Sequence, residues 1–304
     1  MIYNNITELI GNTPIIKLNT ITNKDMAQVY VKLEIMNPSR SVKDRAAFNM
    51  IKDAEERNIL KPGATIIEPT SGTTGIGLAM VAAAKGYKSI IVMPDSASKE
   101  RIALLKAYGA EVILTPAADM IPGSLAKVKE LLEQTPDSYM PQQFINMANP
   151  EIHKITTAEE IIKDFKDRLD VFVATAGTGG TISGTGEVLR KEYPDLQIYV
   201  VESKNSPVIA GGKPGPHKIV GTGPGFIPDT LNINIFDEIV HIDDDDAINT
   251  SKLLAQKEGI LCGISAGAAV YVALQKAKNL NKDQKVLAII PDTGERYLST
   301  GLLT

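Results

Sequence analysis

The chain has 304 residues, of which 43% are hydrophobic, and its formal net charge is −4. This length suits one large α/β domain or two smaller ones, and the composition excludes a disordered chain. Because the charge is slightly acidic and basic clusters are scarce, nucleic acid is not expected as the main partner.

The sequence offers little sign of a membrane, export or metal-binding role. No apolar segment reaches the roughly 20 residues that span a bilayer, and "MIYNNITELIG" lacks the basic and apolar regions of a signal peptide. The single cysteine, Cys262, excludes an internal disulfide and a cysteine metal cluster, and the three histidines lack metal-ligand spacing. We therefore expect no metal and a cytoplasmic location.

Short β-branched runs alternate with helical segments along most of the chain. Helices are predicted over 75–85 and 98–109 and from near Pro122 and Gly180. The predicted strands lie at 64–69, 89–94, 111–115, 170–175, 197–202, 238–242 and 285–291. This alternation indicates parallel sheets covered by helices on both faces. The simplest architecture is two facing α/β units with the ligand at the carboxyl ends of the strands.

Two glycine-rich turns each follow a predicted strand and open a predicted helix. In the later turn, "GTGGT" at 177–181, backbone N–H groups and the helix dipole converge on one point. Two nucleotide-binding patterns fail there, because Ile182 replaces the last glycine of Gly-x-Gly-x-x-Gly and Thr185 replaces the P-loop lysine. We expect a phosphate-binding turn, with a purely structural turn as the alternative.

The earlier turn, "TSGTT" at 70–74, carries four hydroxyl side chains in five positions. Each of them alone is explained by helix N-capping. Together they suit a small carboxylate, since hydroxyl and backbone donors surround an anion without adding charge. We expect this turn to bind a carboxylate.

Two further residues complete the predicted site. Lys43 stands where a helix begins, and the positive end of the helix dipole is expected to lower its pKa, which would help an amine nucleophile. Taken alone, Lys43 is better explained as a solvated lysine, and only the other motifs favour the nucleophile. Ser265 lies between Gly263 and Gly267 ahead of another helix, with an N-cap as the alternative. A phosphate turn, a carboxylate turn, an amine and a neutral hydroxyl suit pyridoxal phosphate with an amino acid.

Eight motifs resemble, in order, those of the cysteine synthase (O-acetylserine sulfhydrylase) and cystathionine β-synthase family of fold type II pyridoxal-phosphate enzymes. They are "IGNTPIIKL", "NPSRSVKDR", "IIEPTSGTTGIGLA", "QQFINMANPEIH", "AGTGGTISG", "KPGPHKIVGTGPGFIP", "GILCGISAGAA" and "GERYLST". The resemblance covers essentially the whole chain. It implies two three-layer α/β domains with mostly parallel sheets, like those of tryptophan synthase β. A smaller mobile domain would span 40–146 and a larger cofactor-binding domain 1–39 and 147–304.

The resemblance also implies a role for each site residue. Lys43 would carry pyridoxal 5'-phosphate as a Schiff base and act as the acid and base at the substrate Cα. Ser265 would bond the pyridine nitrogen, and Thr73 would reach the cofactor or the substrate. The phosphate would be held by Gly177, Thr178, Gly179, Gly180 and Thr181. The substrate carboxylate would be held by Thr70, Ser71, Thr73, Thr74 and Gln143.

The implied reaction makes L-cysteine from O-acetyl-L-serine and sulfide through a bound aminoacrylate. A neutral hydroxyl at the pyridine nitrogen makes the ring a weaker electron sink, which disfavours transamination and racemisation. A homodimer is implied, and so is binding of the C-terminal tail of serine acetyltransferase, since the family's cleft accepts that tail.

The sequence departs from the family pattern at several positions. Thr73 replaces the usual asparagine, and Ile121 and Pro122 replace methionine and lysine; all three are expected to line the pocket. Ala266 and Arg40 are also unusual. The first three keep an alternative open, a cysteine-consuming, H₂S-releasing enzyme of the desulfhydrase, lanthionine synthase or cystathionine synthase type.

The long loop contains one more candidate residue, and the sequence leaves three other functions less favoured. Asp229, in the long Pro/Gly-rich stretch 206–230, is a candidate acid or base for water or a thiol, with an ordinary loop aspartate as the alternative. A threonine or serine dehydratase, a scaffold that binds the acetyltransferase, and a nicotinamide dehydrogenase are less favoured.

Overall fold

Strands and helices alternate along the chain in a computed structural model that describes residues 1–70 and 72–303, apart from the side chains of residues 120 and 121. The strands are β1 (Ile15–Lys17), β2 (Gln28–Leu33), β3 (Thr65–Pro69), β4 (Lys88–Pro94), β5 (Glu111–Thr115), β6 (Ser138–Tyr139), β7 (Val171–Thr175), β8 (Gln197–Ser203), β9 (Glu238–Ile242) and β10 (Lys285–Ile290). Every strand predicted from the sequence is present, with ends that differ by a residue at most.

The α-helices are α1 (Lys43–Glu56), α2 (Thr73–Lys85), α3 (Lys99–Ala107), α4 (Met120–Gln134), α5 (Ala148–Ile152), α6 (Glu159–Phe165), α7 (Gly180–Glu192), α8 (Asp244–Leu253) and α9 (Ile264–Ala277). Short 3₁₀ segments lie at Ile6–Leu9, Glu34–Met36, Ala117–Asp119 and Gly294–Thr300, and π-helical segments at His153–Ala158 and Leu254–Glu258. Within the described chain, no helix combines the length and the apolar character that a membrane span needs.

The strands form two sheets. The larger has the order β1-β2-β10-β7-β8-β9, in which β1 is antiparallel to β2 and every other pair is parallel. The smaller has the order β5-β4-β3-β6 and is wholly parallel. A helix lies between most successive strands, as the alternating pattern predicted. The parallel strands β8 and β9 are instead joined by residues 204–237, in which no helix forms.

Both faces of the larger sheet are buried, as β10 shows. Its residues Val286, Ala288 and Ile290 join a core cluster with side chains of α8 and α9. The intervening Leu287 and Ile289 join a second cluster with side chains of α6 and α7. Successive side chains of a strand point to opposite faces, so the sheet is the middle layer of three. The predicted fold class, α/β with mostly parallel sheets, is confirmed.

The smaller sheet is also covered on both faces. All five residues of β3 are buried. Ile66 packs with side chains of α1 and α2, whereas Ile67 packs with Val128 of α4. The four strands of this sheet lie within the smaller domain predicted at 40–146, and those of the larger sheet lie outside it. The domain boundaries and the mobility remain predictions.

Candidate active site

A cavity of about 240 Å³ brings together segments that are far apart in the sequence. Two of them follow the carboxyl ends of β3 and β7, where parallel sheets place ligands. The predicted site residues that line the cavity are Lys43, Thr70, Thr73, Thr74, Gln143, Gly177 and Thr178. Phe144 and the segment from Val220 to Pro224, part of the long loop, complete the lining. The two glycine-rich turns and the lysine therefore face one space.

Lys43 is the first residue of α1 and is partly buried. Removal from water disfavours an ammonium, and burial accordingly lowers the pKa of Lys43, while the negative charge of Asp292 opposes that lowering. The sequence predicted the direction correctly but attributed it to the helix dipole. The structure identifies burial as the main cause.

The later turn forms a cup at the start of α7. Its N-cap, Gly179, has a φ of 82° and offers no side chain to occupy the first N–H groups of this 13-residue helix. A Cβ on Gly177 would overlap the carbonyl oxygen of Gly221, and one on Gly180 would overlap Oδ1 of Asn149. Neighbouring segments therefore pack so closely against the turn that only glycine fits at 177 and 180. The start of a helix is a position where N–H groups bind anions.

Asn149 connects the cup to the rest of the cavity. Its Nδ2 donates to the hydroxyl of Thr178 and to the backbone carbonyl of Gln143, both at 2.9 Å. On the far side of the cup, the hydroxyl of Thr181 lies 3.3 Å from Nε2 of His153. Sequence analysis assigned no role to Asn149, although it belongs to one of the family motifs.

The earlier turn presents hydroxyl groups to the cavity. The hydroxyl of Thr70 accepts a hydrogen bond from the N–H of Gly72 at 3.1 Å, and that of Thr74 donates to Oε1 of Gln143 at 2.5 Å. The N-cap of α2 is Gly72, which has no side chain with which to cap the helix. The capping alternative is therefore wrong for Thr73 and Thr74. Ser71, the remaining predicted member, lies outside the described residues.

Glu68, a residue that sequence analysis missed, holds Gln143 in place. It is buried at the end of β3 and accepts the backbone N–H groups of Gln142 and Gln143 at 2.9 and 3.0 Å. Burial raises the pKa of its carboxyl to about 7, against the lowering effect of those two hydrogen bonds. The available signal was an acidic residue near the end of the mostly apolar run "ATIIEP" at 64–69.

Ser265 is the second residue of α9 and is buried. The N-cap of that helix is Gly263, so the capping alternative for Ser265 is wrong. Neither Ser265 nor Asp229 is among the residues that line the cavity, and Asp229 is exposed. The predicted roles of both remain untested by this geometry.

The departures from the family pattern lie in different surroundings. Thr73 lines the cavity as expected, but Pro122 is exposed and does not, contrary to the prediction. The side chain of Ile121 lies outside the described part of the chain. Ala266 is buried in α9, and Arg40, with a φ of 63°, lies 3.5 Å from the carboxylate of Glu295.

These residues fit pyridoxal phosphate. The glycine cup suits its phosphate, the half-buried amine of Lys43 suits its aldehyde, and the hydroxyl turn leaves donors for an amino-acid carboxylate. A dinucleotide would need the glycine pattern that Ile182 interrupts.

Comparison with known proteins agrees with this fit. A family model described as "Pyridoxal-phosphate dependent enzyme" matches residues 6–292. The chain is 58% identical to the "Probable cysteine synthase" of Bacillus subtilis (strain 168), covering 98% of this chain and 97% of that one. It is 54% identical to the "Cysteine synthase" of Staphylococcus aureus (strain Mu50), covering 98% and 96%.

A solved structure, that of O-ureido-L-serine synthase, superposes with a TM-score of 0.96 at 44% identity, covering 99% of this chain and 95% of that one. A match of this extent fixes the fold as well as the sequence relationship. The chain belongs to the family of pyridoxal-phosphate dependent enzymes.

Proposed function

We propose that this protein is a cysteine synthase, which makes L-cysteine from O-acetyl-L-serine and sulfide. The observation that carries the proposal is the meeting of Lys43, the glycine cup and the hydroxyl turn in one cavity. Two curated relatives that match this chain over nearly their full length are named probable cysteine synthase and cysteine synthase. They do not favour the alternative of a cysteine-consuming, H₂S-releasing enzyme.

The proposed cofactor contacts are those that the family resemblance implies, and the cavity supports them for Lys43, Gly177 and Thr178, which line it. The turn at 177–181 holds the phosphate, Ser265 contacts the ring nitrogen, and Lys43 forms the covalent link. When bound, pyridoxal phosphate supplies an electron-accepting ring that acidifies the substrate α-proton and assists departure of the β-substituent.

Lys43 is the proposed acid and base. Because burial lowers its pKa, a larger fraction of the released side chain is the neutral amine that takes the α-proton. The resulting ammonium then holds that proton beside Cα and returns it after sulfide has added.

The hydroxyl turn is the proposed carboxylate site. Thr74 and Gln143 hold each other through their 2.5 Å hydrogen bond, which leaves the amide NH₂ of Gln143 free to donate to the substrate. Glu68 fixes the backbone of the same segment. The substrate thus meets donors that are already oriented, which reduces the entropy lost on binding.

The proposed assembly is a homodimer in the cytoplasm. In its support, the N-terminal segment exposes several large apolar side chains, which are Ile2, Ile6, Leu9 and Ile16. Light scattering tests the dimer.

We also propose that the cavity accepts the C-terminal carboxylate of serine acetyltransferase, and a pull-down with that enzyme tests the contact.

A visible spectrum of the purified protein tests the function. O-acetylserine is added to one sample and L-cysteine to another, and sulfide is assayed in both. A new band with O-acetylserine alone, discharged by added sulfide, is the expected result. The same band with cysteine, accompanied by released sulfide and little response to O-acetylserine, would replace the proposal with a cysteine lyase.

A further inference from the structure

Arg101 packs against the hydroxyl turn from outside the cavity. It is the third residue of α3, and its long side chain is only 6% exposed. Thr70, Thr73 and Thr74 of the turn line the cavity, whereas Arg101 is not part of the lining. An arginine is seldom buried to this extent without specific contacts, and sequence analysis assigned it no role.

The aliphatic stem of Arg101 touches the turn at Gly72. A Cβ placed on Gly72 would lie 2.6 Å from Cδ of Arg101 and 3.3 Å from both Cγ and Nε. The stem therefore fills the space that a side chain at position 72 would need. Gly72 also has a φ of 134°, a conformation that glycine adopts readily and other residues do not. The turn and the arginine thus fit each other only with glycine at this position.

The charged end of Arg101 lies on the 3₁₀ segment Gly294–Thr300. Its Cζ is 4.9 Å from the ring centroid of Tyr297, which is a cation–π contact. Tyr297 is 2% exposed, and its hydroxyl donates to Oδ2 of Asp292 at 2.7 Å. Burial and this hydrogen bond hold the ring in place, so the guanidinium lies on a fixed surface.

Two neighbours of Arg101 hold the start of α3 on the same segment. The hydroxyl of Ser98 donates to the backbone carbonyl of Arg296 at 3.0 Å. The carboxylate of Glu100 accepts the backbone N–H of Ser299 at 2.9 Å and its hydroxyl at 2.6 Å. The backbone that carries Arg101 is therefore fixed independently of the turn. A turn that contains glycine has conformational freedom, which a contact from such a fixed neighbour limits.

We propose that Arg101 is a positioning residue for amino-acid binding, which holds the hydroxyl turn in the shape that receives the substrate carboxylate. The inference rests on the proposed function, since that function assigns the turn to the carboxylate. A turn already held in this shape loses less conformational freedom when the substrate binds, which raises the affinity. The glycine cup belongs to a different segment, so the affinity for the cofactor does not depend on Arg101.

The test compares amino-acid and cofactor binding in the full-length enzyme. Arg101→Ala removes both the stem and the guanidinium, and it is expected to raise the KM for O-acetylserine at least about tenfold with a smaller change in kcat. The affinity for pyridoxal phosphate, measured by equilibrium dialysis, is expected to stay at the wild-type value. Arg101→Lys keeps a long stem and a cation for the Tyr297 ring and is expected to recover most of the lost amino-acid affinity.

Lys99→Ala is the matched control. It removes a cation from the first turn of the same helix, but the side chain of Lys99 is exposed. This variant is expected to leave both the KM and the cofactor affinity unchanged.

An unchanged KM in Arg101→Ala would overturn the inference, and so would an equal rise in Lys99→Ala or a parallel loss of cofactor affinity. If Arg101→Ala does not fold, Arg101→Met fills the same space without a charge and is expected to raise the KM at least about threefold.

Failure of the proposed function looks different, because the wild-type enzyme would then make no cysteine from O-acetylserine and sulfide. If the wild-type enzyme instead breaks down L-cysteine, the same rise in KM is expected with that substrate, since it presents the same α-carboxylate to the turn.

Discussion

Glu34 is buried between two cations, and its replacement by glutamine tests how strongly this charged cluster stabilises the fold. Its Oε2 lies 2.8 Å from Nε of Arg45, and its Oε1 accepts the hydroxyl of Thr13 at 2.6 Å. Nearby, Lys32 and Arg45 both pair with Glu160, at 2.8 and 2.6 Å. Arg45 belongs to α1, so the cluster also anchors the helix that begins at Lys43.

The size of the effect follows from the pKa of Glu34. Burial alone would raise it, but the charges and hydrogen bonds of Arg45 and the charge of Lys32 lower it from 4.5 to about 2. A shift of that size corresponds to about 3 kcal/mol of stability, present above pH 4.5 and lost as the pH falls towards 2. Loss of one partner of a buried ion pair costs about 3–5 kcal/mol by independent measurements on other proteins. We therefore expect Glu34→Gln to lower the free energy of unfolding at neutral pH by about 3 kcal/mol.

Urea denaturation followed by far-ultraviolet circular dichroism measures this loss, since the chain contains no tryptophan. The control is Asp137→Asn, which breaks a 3.2 Å ion pair with Lys61. The side chain of Lys61 is 71% exposed and that of Asp137 is 62% exposed. An exposed pair contributes under about 1 kcal/mol. If Glu34→Gln cost no more than Asp137→Asn, the reasoning about the buried cluster would be refuted.

Lys43→Ala is expected to abolish covalent cofactor attachment; a pyridoxyl group found on another lysine after borohydride reduction and peptide mass spectrometry would contradict the assignment. Thr73→Asn is expected to raise cysteine synthesis relative to cysteine breakdown, because an amide offers two donor hydrogens where a hydroxyl offers one. An unchanged ratio of the two rates would remove Thr73 from the choice of reaction. Gly180→Ala brings a methyl group against Asn149 and is expected to weaken cofactor affinity by at least about tenfold in equilibrium dialysis, whereas wild-type affinity would show that the cup tolerates a side chain. Between pH 4.5 and about 7 the carboxyl of Glu68 keeps its proton in the folded protein and loses it in the unfolded one, so this residue makes the wild-type stability fall as the pH rises. Glu68→Gln is expected to make that fall shallower. Parallel stability curves for the two proteins would contradict that role.

The sequence predicted the elements well because their signals are local. A β-branched run such as "EVILT" at 111–115 coincides with β5, and Lys43 begins α1 as expected. Contacts between distant segments left no local signal. The hydrogen bonds of Glu68 to Gln143 and the overlap that excludes a Cβ at Gly180 depend on tertiary packing. The cause of the lowered Lys43 pKa was missed for the same reason, since burial is a property of the fold.

Asn149 connects the cup to the segment that contains Gln143 through two hydrogen bonds of one amide. One side-chain amide donates both to the cup residue Thr178 and to the backbone of Gln143. A ligand that tightens either contact reorients the same nitrogen, so the two occupancies share a coupling free energy, which acts equally in both directions. If the cup holds the cofactor phosphate and Gln143 contacts the amino acid, as proposed above, Asn149 links cofactor retention thermodynamically to amino-acid affinity.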